Sequence, residues 1–538
     1  MTGPTGSAVD SPAGGPADSS VGGPAYSPLG GPADSPAGGP ADSSVGGPAY
    51  SPSGDPVHSR RWLVLAILTV VAFMTNLDGT IVVIALPKLM AGLHTTMTVG
   101  LWTLTAYIIT STVLLLPAGR WSDVMGAKPV FLAGLAVFTA ATVLCGVAPS
   151  GAELIAARAL QGAGGALAVA TATPLIVGTF PARQLGMALG VNSTAWVMGS
   201  IVGPVAGGAL VTTFGWRSVF FVTVPFGIVG IVTGALVLPG ARRSAGHAGI
   251  DWGGTISFAC ALVLLLLGLS EGEAWGWTSL PTTAVLAVAA GLFFAFGAWE
   301  LHQRAPAFDL RLLGRRHLRW GLAVVGCWSI GFFATTFLLT FYLQGALHLS
   351  ALDAGLVLVP LSAPQLLLAP FAGSLADRLG PPRLITAGAV LLMGGALLLG
   401  EQGARLDLVR VVVPLAIMSV GNSILFPALL KAVMSSVPSE RSGVGAGLFY
   451  TVRNVGMSLS LTLALVAAET SLPKATASRV FLGTAGVLSP SASHALVSST
   501  DAGFTLFVAF YGLAALCSIG LLRRDRRPDP GAAVSSPA

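Results

Sequence analysis

Of the 538 residues only 9% are charged, while 53% are hydrophobic; soluble domains carry about 25% charged residues. That balance excludes a water-soluble globular chain, and the net charge of +6 fits arginines at an anionic lipid surface better than nucleic-acid binding. Cys145, Cys260, Cys327 and Cys517 stand singly in apolar sequence, so they read as small packing residues and not as a disulfide framework or a metal site.

In chain order, a low-complexity segment comes first. Across residues 1–57 a Gly-Gly-Pro-Ala-Asp/Tyr-Ser unit recurs from Gly14 to a degenerate copy at Gly54. It has too little apolar content for a core and is expected to be a disordered tail. It lacks the basic and apolar regions of a leader, so a cleaved signal peptide is not expected.

Fourteen apolar stretches follow: Trp62–Leu86, Val99–Pro117, Pro129–Val147, Leu154–Phe180, Met187–Val211, Val219–Leu238, Gly253–Leu269, Thr282–Glu300, Gly321–Leu343, Leu352–Leu375, Leu384–Leu399, Leu408–Leu430, Gly443–Ala467 and Gly503–Leu522. Each approaches the length of about 20 residues that crosses a hydrocarbon core. The fifth and seventh are broken by glycine. Of the 28 Lys and Arg residues, Lys88, Arg217, Arg405, Arg410, Lys474 and Arg479 fall in one set of alternate connections, and Arg158 and Arg453 lie inside spans. All the others fall in the opposite connections or the tails. Basic connections stay on the cytoplasmic side, which places both termini in the cytoplasm and the spans in the plasma membrane.

Two of those basic connections are copies of each other. One reads Gly119-Arg-Trp-Ser-Asp123-Val-Met-Gly126-Ala-Lys128, and the other Gly373-Ser-Leu-Ala-Asp377-Arg378-Leu-Gly380-Pro-Pro-Arg383. Each follows the second span of a six-span set. The expected organisation is therefore a tail (1–57), a first six-helix half (58–239), a linker with two extra helices (240–319), a second six-helix half (320–527) and a cytoplasmic tail (528–538). Parallel repeats of this kind belong to secondary transporters, which bind substrate near the midplane between the halves.

The chain resembles the major facilitator superfamily, and its span number resembles the fourteen-span drug:proton antiporter family. Leu77-Asp-Gly-Thr-Ile-Val-Val-Ile-Ala-Leu-Pro87 is similar to that family's first-helix signature, and Arg158-Ala-Leu-Gln161-Gly162-Ala-Gly164 to its fourth-helix motif. Gly199-Ser-Ile-Val-Gly203-Pro204-Val-Ala-Gly207-Gly208 resembles the fifth-helix antiporter motif, and Trp216-Arg217 with Val224-Pro225-Phe-Gly227 the start of the sixth helix. The resemblance runs from about residue 60 to 525. It departs at Val83 and Thr223, where Asn is frequent, and at Val124, which replaces an Arg and removes one cation from the expected interdomain charge network. It implies an all-α integral membrane protein with the major facilitator fold, two six-helix halves and two extra central helices, working as a monomer.

Membrane-embedded charge is expensive and usually faces a partner or a water-filled cavity. Asp78 and Arg158 lie roughly 13 Å and 10 Å from the outer ends of their spans at 1.5 Å per residue, so they can share one cavity. Desolvation favours the protonated form of a carboxylate and a nearby guanidinium favours the ionised form. With the resemblance, this makes Asp78 and Arg158 the candidate proton-coupling pair, Asp78 carrying the proton and Arg158 acting as its electrostatic partner. Bracing or capping of a helix is the bland reading for Asp78. Thr80, Gln161, Trp196, Tyr450, Arg453 and Asn454 are candidates for the substrate cavity, with Trp102, Tyr107, Met198, Phe332, Phe333, Phe337, Tyr342 and Phe449 as further aromatic or Met candidates.

Gly119, Asp123, Gly126, Lys128, Gly373, Asp377, Arg378 and Gly380 are the candidate gating residues, the carboxylates meeting a helix N-terminus or an Arg of the other half. Gly199, Gly203, Pro204, Gly207 and Gly208 permit close helix approach and are expected to seal the interface between halves. His94, His247, His302 and His348 read as solvated loop positions. No phosphate loop, metal cluster or nucleophile constellation appears, so no cofactor, metal or enzyme activity is expected. The implied partners are protons, membrane lipids and an amphiphilic substrate, whose charge stays open because one embedded acid and two embedded arginines permit either sign. Two other functions remain: proton-coupled uptake of a polar solute, which predicts more intramembrane carboxylates and amides, and a scaffold or sensor that transports nothing, which leaves Asp78 and Arg158 unexplained.

Overall fold

A computed structural model describes residues 60–240, 251–303, 308, 310–340, 342–343, 347, 349, 351–400, 407–469 and 490–522. The repeat tail, the tail beyond 527, and Arg242, Arg243, His247, Arg304, His348, Arg405, Lys474, Arg479, Arg523, Arg524, Arg526 and Arg527 lie outside those residues. Fourteen long helices carry the described chain: α1 (Arg61–Leu93), α2 (Met97–Met125), α3 (Ala127–Val147), α4 (Gly151–Thr179), α5 (Ala182–Thr213), α6 (Val224–Val237, preceded by the single turn Ser218–Phe221), α7 (Trp252–Trp275), α8 (Leu280–His302), α9 (Arg316–Thr340), α10 (Ala351–Leu379), α11 (Pro381–Leu399), α12 (Leu408–Ser435), α13 (Ser442–Glu469) and α14 (Pro490–Leu522). No strand occurs among the described residues. This is the all-helical membrane architecture expected, since in lipid the backbone has no water to bond and must satisfy itself within each helix.

Among the described residues, thirteen stretches are long and apolar enough to cross a membrane. α13 is not among them, and it carries Arg453 and Asn454 in its middle. Its polar positions face neighbouring helices, as shown below. The glycines of the fifth and seventh stretches do not break their helices: α5 and α7 are continuous, because close packing compensates the weak helix propensity of glycine.

The duplication is visible in the packing. In the first six helices, α1 packs on α5 and α6, α2 on α4, and α3 on α4 and α6. In the last six, α9 packs on α13 and α14, α10 on α12, and α11 on α12 and α14. The pattern is the same, shifted by eight helices. Between the sets the pairing is exchanged, α2 meeting α13 and α5 meeting α10. α7 and α8 pack on each other, and α7 also touches both α2 and α13.

Burial sorts the helices. Leu280 and Phe294 of α8 are 81% and 82% exposed, an apolar surface that suits lipid. α4 is the opposite, with Arg158, Gln161, Thr171 and Thr173 all buried. Side chains are small where its neighbours approach: a Cβ at Gly162 would strike the backbone of Tyr107 in α2, and one at Gly164 the backbone of Phe138 in α3. Both copies of the repeated turn end on a glycine in the left-handed region, Gly126 at φ 96° and Gly380 at φ 83°. A side chain there would be strained, and the next helix starts at once in each case.

Candidate functional site

Three features converge on the two sets of six helices: a buried ion pair, a central cavity, and a closed end. The ion pair joins α1 to α4. Arg158 Nη1 donates to Asp78 Oδ2 at 2.7 Å, and Gln161 Nε2 donates to Asp78 Oδ1 at 2.8 Å. Arg158 also donates to Gln161 Oε1 at 2.5 Å and, through Nε, to the Thr103 carbonyl at 3.2 Å. Gln161 Nε2 reaches Thr142 Oγ1 of α3 at 2.7 Å, and the Tyr107 ring of α2 lies 4.3 Å from the guanidinium carbon. Four helices thus contribute to one network. Asp78 is 0% and Arg158 1% exposed. A pair this deep is tolerated only because both carboxylate oxygens and the guanidinium are hydrogen-bonded; removing Arg158 leaves the Asp78 carboxylate with Gln161 alone.

The sequence reading put Asp78 and Arg158 at one depth, and the structure puts them in contact. It does not put Gln161 on the cavity wall. Gln161 is 0% exposed and belongs to the ion-pair network, one helical turn from Arg158 on the same face.

The cavity, of about 430 Å³, lies beside this network, within the range of small-molecule sites. Arg158 and Tyr107 form part of its wall, so the network borders the cavity while Asp78 stays behind it. Thr80, Trp196, Tyr450, Arg453 and Asn454 also line it, as do Phe332 and Phe333. Trp102, Met198, Tyr342 and Phe449 do not, and the side chain of Phe337 lies outside the described residues. The Trp196 and Tyr450 rings stack across the two sets, with centroids 6.3 Å apart at 27°. Tyr450 shares a hydrogen bond with Thr173 of α4 at 3.3 Å, and Asn454 donates to Thr112 of α2 at 3.2 Å.

A second polar knot was not singled out in the sequence. Trp328 Nε1 donates to Asn422 Oδ1 at 2.9 Å, and Asn422 Nδ2 donates to Gln365 Oε1 at 2.8 Å. These residues sit on α9, α12 and α10, the repeat counterparts of α1, α4 and α2. The first set of helices therefore holds a charged knot and the second a neutral one. A Gln and an Asn standing in otherwise apolar spans of the second set were the signal available.

The end that carries the repeated turns is closed by two carboxylates. Asp123 of α2 accepts from Gly443 N at 2.7 Å and Val444 N at 2.9 Å, in the first turn of α13. Asp377 of α10 accepts from Gly186 N at 2.8 Å and Met187 N at 3.1 Å, near the start of α5. Each carboxylate meets the positive end of a helix from the other set, and Lys431 Nζ adds an ion pair to Asp377 at 2.5 Å. Glycine makes the approach possible: a Cβ at Gly119 would fall on the Gly443 carbonyl, and one at Gly373 on the Gly186 carbonyl. Gly447 against Leu115 and Gly190 against Ala369 continue the two seams. Among the candidate gating residues, Lys128 behaves differently. It donates to the carbonyls of Ala235 and Leu238, both at 2.8 Å, and so caps α6 within its own set. Arg378 is exposed.

The glycine run of α5 does not seal the two sets against each other. A Cβ at Gly199 would meet Asn76 and Leu77, one at Gly203 would meet Thr80, and one at Gly207 would meet Ile81, all on α1. Gly208 has nothing within 4 Å, and the side chain of Pro204 lies outside the described residues. The run holds α5 to α1 inside one set, reinforced by Thr80 donating to the Gly199 carbonyl at 3.1 Å and Asn76 donating to the Trp196 carbonyl. The crossing falls to Gly186 and Gly190, earlier on the same helix, whose spacing of four matches Gly443 and Gly447.

A duplicated helical bundle with exchanged pairing, a cavity between its halves and an ion pair at membrane depth is a multi-pass membrane transporter in architecture. The model of the Major Facilitator Superfamily matches residues 68–461, and the chain belongs to that family. It is 31% identical over 407 residues to the "Tetracenomycin C resistance and export protein" of Streptomyces glaucescens, covering 75% of each chain. It is likewise 31% identical over 409 residues to the "Multidrug transporter protein MdtP" of Bacillus subtilis, 75% of each. Against the "Probable actinorhodin transporter" of Streptomyces coelicolor it is 31% identical over 418 residues, 76% of this chain and 72% of that one. Among solved structures, the human organic anion transporter MFSD10 (TETRAN) superposes with a TM-score of 0.58 over 84% of this chain and 99% of that chain. At 15% identity that likeness speaks to the fold alone.

Proposed function

We infer that this chain exports amphiphilic drugs or antibiotics from the cell in exchange for protons, by alternating access. The relatives named as an export protein and a multidrug transporter support the direction and the substrate class. The observation that carries the coupling is the Asp78–Arg158 pair at 2.7 Å, buried yet sharing Arg158 and Tyr107 with the cavity wall. Protonation of Asp78 loosens its hold on Arg158, and the Arg158 side chain, which forms part of the cavity wall, is then free to move into the space that a substrate occupies, so that proton and substrate oppose each other. Occupancy of the cavity and protonation of Asp78 are thereby linked, and linkage runs both ways.

The closed end supplies the two-state element. In this reading it is cytoplasmic, both termini lie on that side of the plasma membrane, and the protein works as a monomer. Hydrogen bonds to charged groups contribute about 1.5–3 kcal/mol each, so the four at Asp123 and Asp377 give about 6–12 kcal/mol, which contacts formed in the open state must largely offset to leave the gap of a few kcal/mol that ligand binding can tip.

Everted vesicles from cells making the full chain test this, with ethidium, rhodamine 123 and fluorescein as probes. Uptake of at least one dye is expected when a pH gradient is imposed, and it is expected to stop when nigericin collapses the gradient. Accumulation against concentration that survives the collapse, or movement of none of the three dyes, counts against the reading.

A further inference from the structure

The central cavity holds one charge that its walls do not balance. Among the described residues lining it, only Arg158 and Arg453 are charged. Arg158 is matched by Asp78. Arg453 has no ion pair among the described residues. Its Nη1 donates to Asn454 Oδ1 at 3.2 Å, and its Nε is buried with no partner. A cation at membrane depth without a counter-ion is costly and marks a ligand or a pathway. What the protein offers instead is aromatic. Phe333 lies 5.0 Å and Trp196 5.4 Å from the guanidinium carbon, measured to the ring centroids, and such faces compensate a cation only in part.

We propose that Arg453, with Trp196, Phe333 and Tyr450, is the recognition site for the transported compound, and that this compound is an aromatic anion, a flat ring system bearing a carboxylate or an ionised phenol. The proposal rests on the export reading and narrows its substrate class. An anionic oxygen accepts from the planar guanidinium fork, whose donors suit it. The ring lies against the stacked Trp196–Tyr450 wall, where offset stacking is favourable. A lipophilic cation finds no such welcome. The one carboxylate nearby, Asp78, is fully buried with both oxygens engaged, and the neutral amides are also committed: Asn422 bonds Gln365, and Asn76 bonds Ser200.

The test uses the full chain in lipid nanodiscs with no gradient, titrated with fluorescein and with rhodamine 123. The two dyes share a xanthene ring and differ in charge sign, and binding is read by fluorescence anisotropy. Fluorescein is expected to bind at least about tenfold more tightly than rhodamine 123. Arg453→Gln is expected to lose at least about tenfold in fluorescein affinity, and Arg453→Lys to recover part of it. Equal or tighter binding of rhodamine 123, binding of neither dye, or wild-type fluorescein affinity in Arg453→Gln overturns the proposal. The comparison of dyes on the unaltered protein needs no variant, so a poorly folded Arg453→Gln does not blunt it. Binding at equilibrium is independent of coupling. Failure of the proton-exchange reading leaves these outcomes in place, and failure here leaves gradient-driven uptake of rhodamine 123 or ethidium standing.

Discussion

Arg158→Met is expected to destabilise the protein by about 3–5 kcal/mol, the usual result of removing one member of a buried ion pair. Asp78 would remain as a charge with 0% exposure, held by Gln161 alone. Asp78→Asn should be milder in stability, because Arg158 keeps Gln161 Oε1, the Thr103 carbonyl and the Tyr107 ring. Its transport defect should be the larger one, with gradient-driven dye uptake in everted vesicles below about a tenth of wild type, since the amide cannot take up and release a proton. The double variant Asp78→Asn/Arg158→Met should regain most of the lost stability and none of the uptake, the non-additivity that contacting residues show. Stability is read as the fraction of monodisperse protein surviving heating in detergent. An Arg158→Met protein as heat-resistant as wild type would show that the pair is not a buried unit, and full uptake by Asp78→Asn would remove it from coupling.

Gly443→Leu should stop transport by keeping the closed end from forming. The new side chain would be driven into the Gly119 carbonyl and the Asp123 carboxylate, both of which are fixed by helix packing. Displacing Asp123 from Gly443 N and Val444 N forfeits two charge-assisted bonds of about 1.5–3 kcal/mol each, and about 5.5 kcal/mol takes a two-state equilibrium from 99:1 to 1:99. Gly186→Leu should do the same on the other seam, against Gly373 and Asp377. Gly291→Leu in α8, where nothing lies within 4 Å, is the control and should transport normally. Dye uptake by the three variants at matched membrane levels decides it: Gly443→Leu and Gly186→Leu at the level of Gly291→Leu would show that the seams need not close.

Most of the fold was legible because the membrane imposes it. Apolar length set the spans, and the two copies of the Gly–Asp–Gly turn marked the duplication. The site was legible in part. Asp78 and Arg158 stand out as charges in apolar sequence, and Arg453 with Asn454 stands out for the same reason. The partners of Asp123 and Asp377 do not, because they are backbone N–H groups that leave no residue letter. Glycine marks such places only ambiguously. Gly199 and Gly186 lie on one helix, yet one faces α1 of its own set and the other crosses to α10, and facing is a matter of helix rotation that motif resemblance does not supply. Gln161 shows the same limit: it shares a helical face with Arg158, but burial in the network, not spacing, decided that it stays off the cavity wall.

The placement of α7 has a mechanical consequence. It leans on α2 from one set and α13 from the other, so any rocking of the sets drags its surface over at least one of them. The contact is apolar, built from Val113 and Ile109 of α2, Leu262 and Leu266 of α7, and Val455 of α13, with the Trp121 ring of α2 meeting that of Trp252 of α7 at 6.2 Å. Among the described residues one hydrogen bond crosses it, from Thr462 Oγ1 to the Leu269 carbonyl at 3.2 Å. Oily, nearly unpinned surfaces slide at low cost, the shear kind of domain movement. If the two sets rock as the proposed exchange requires, α7 and α8 would serve as a bearing along one flank, steadying the stroke without resisting it.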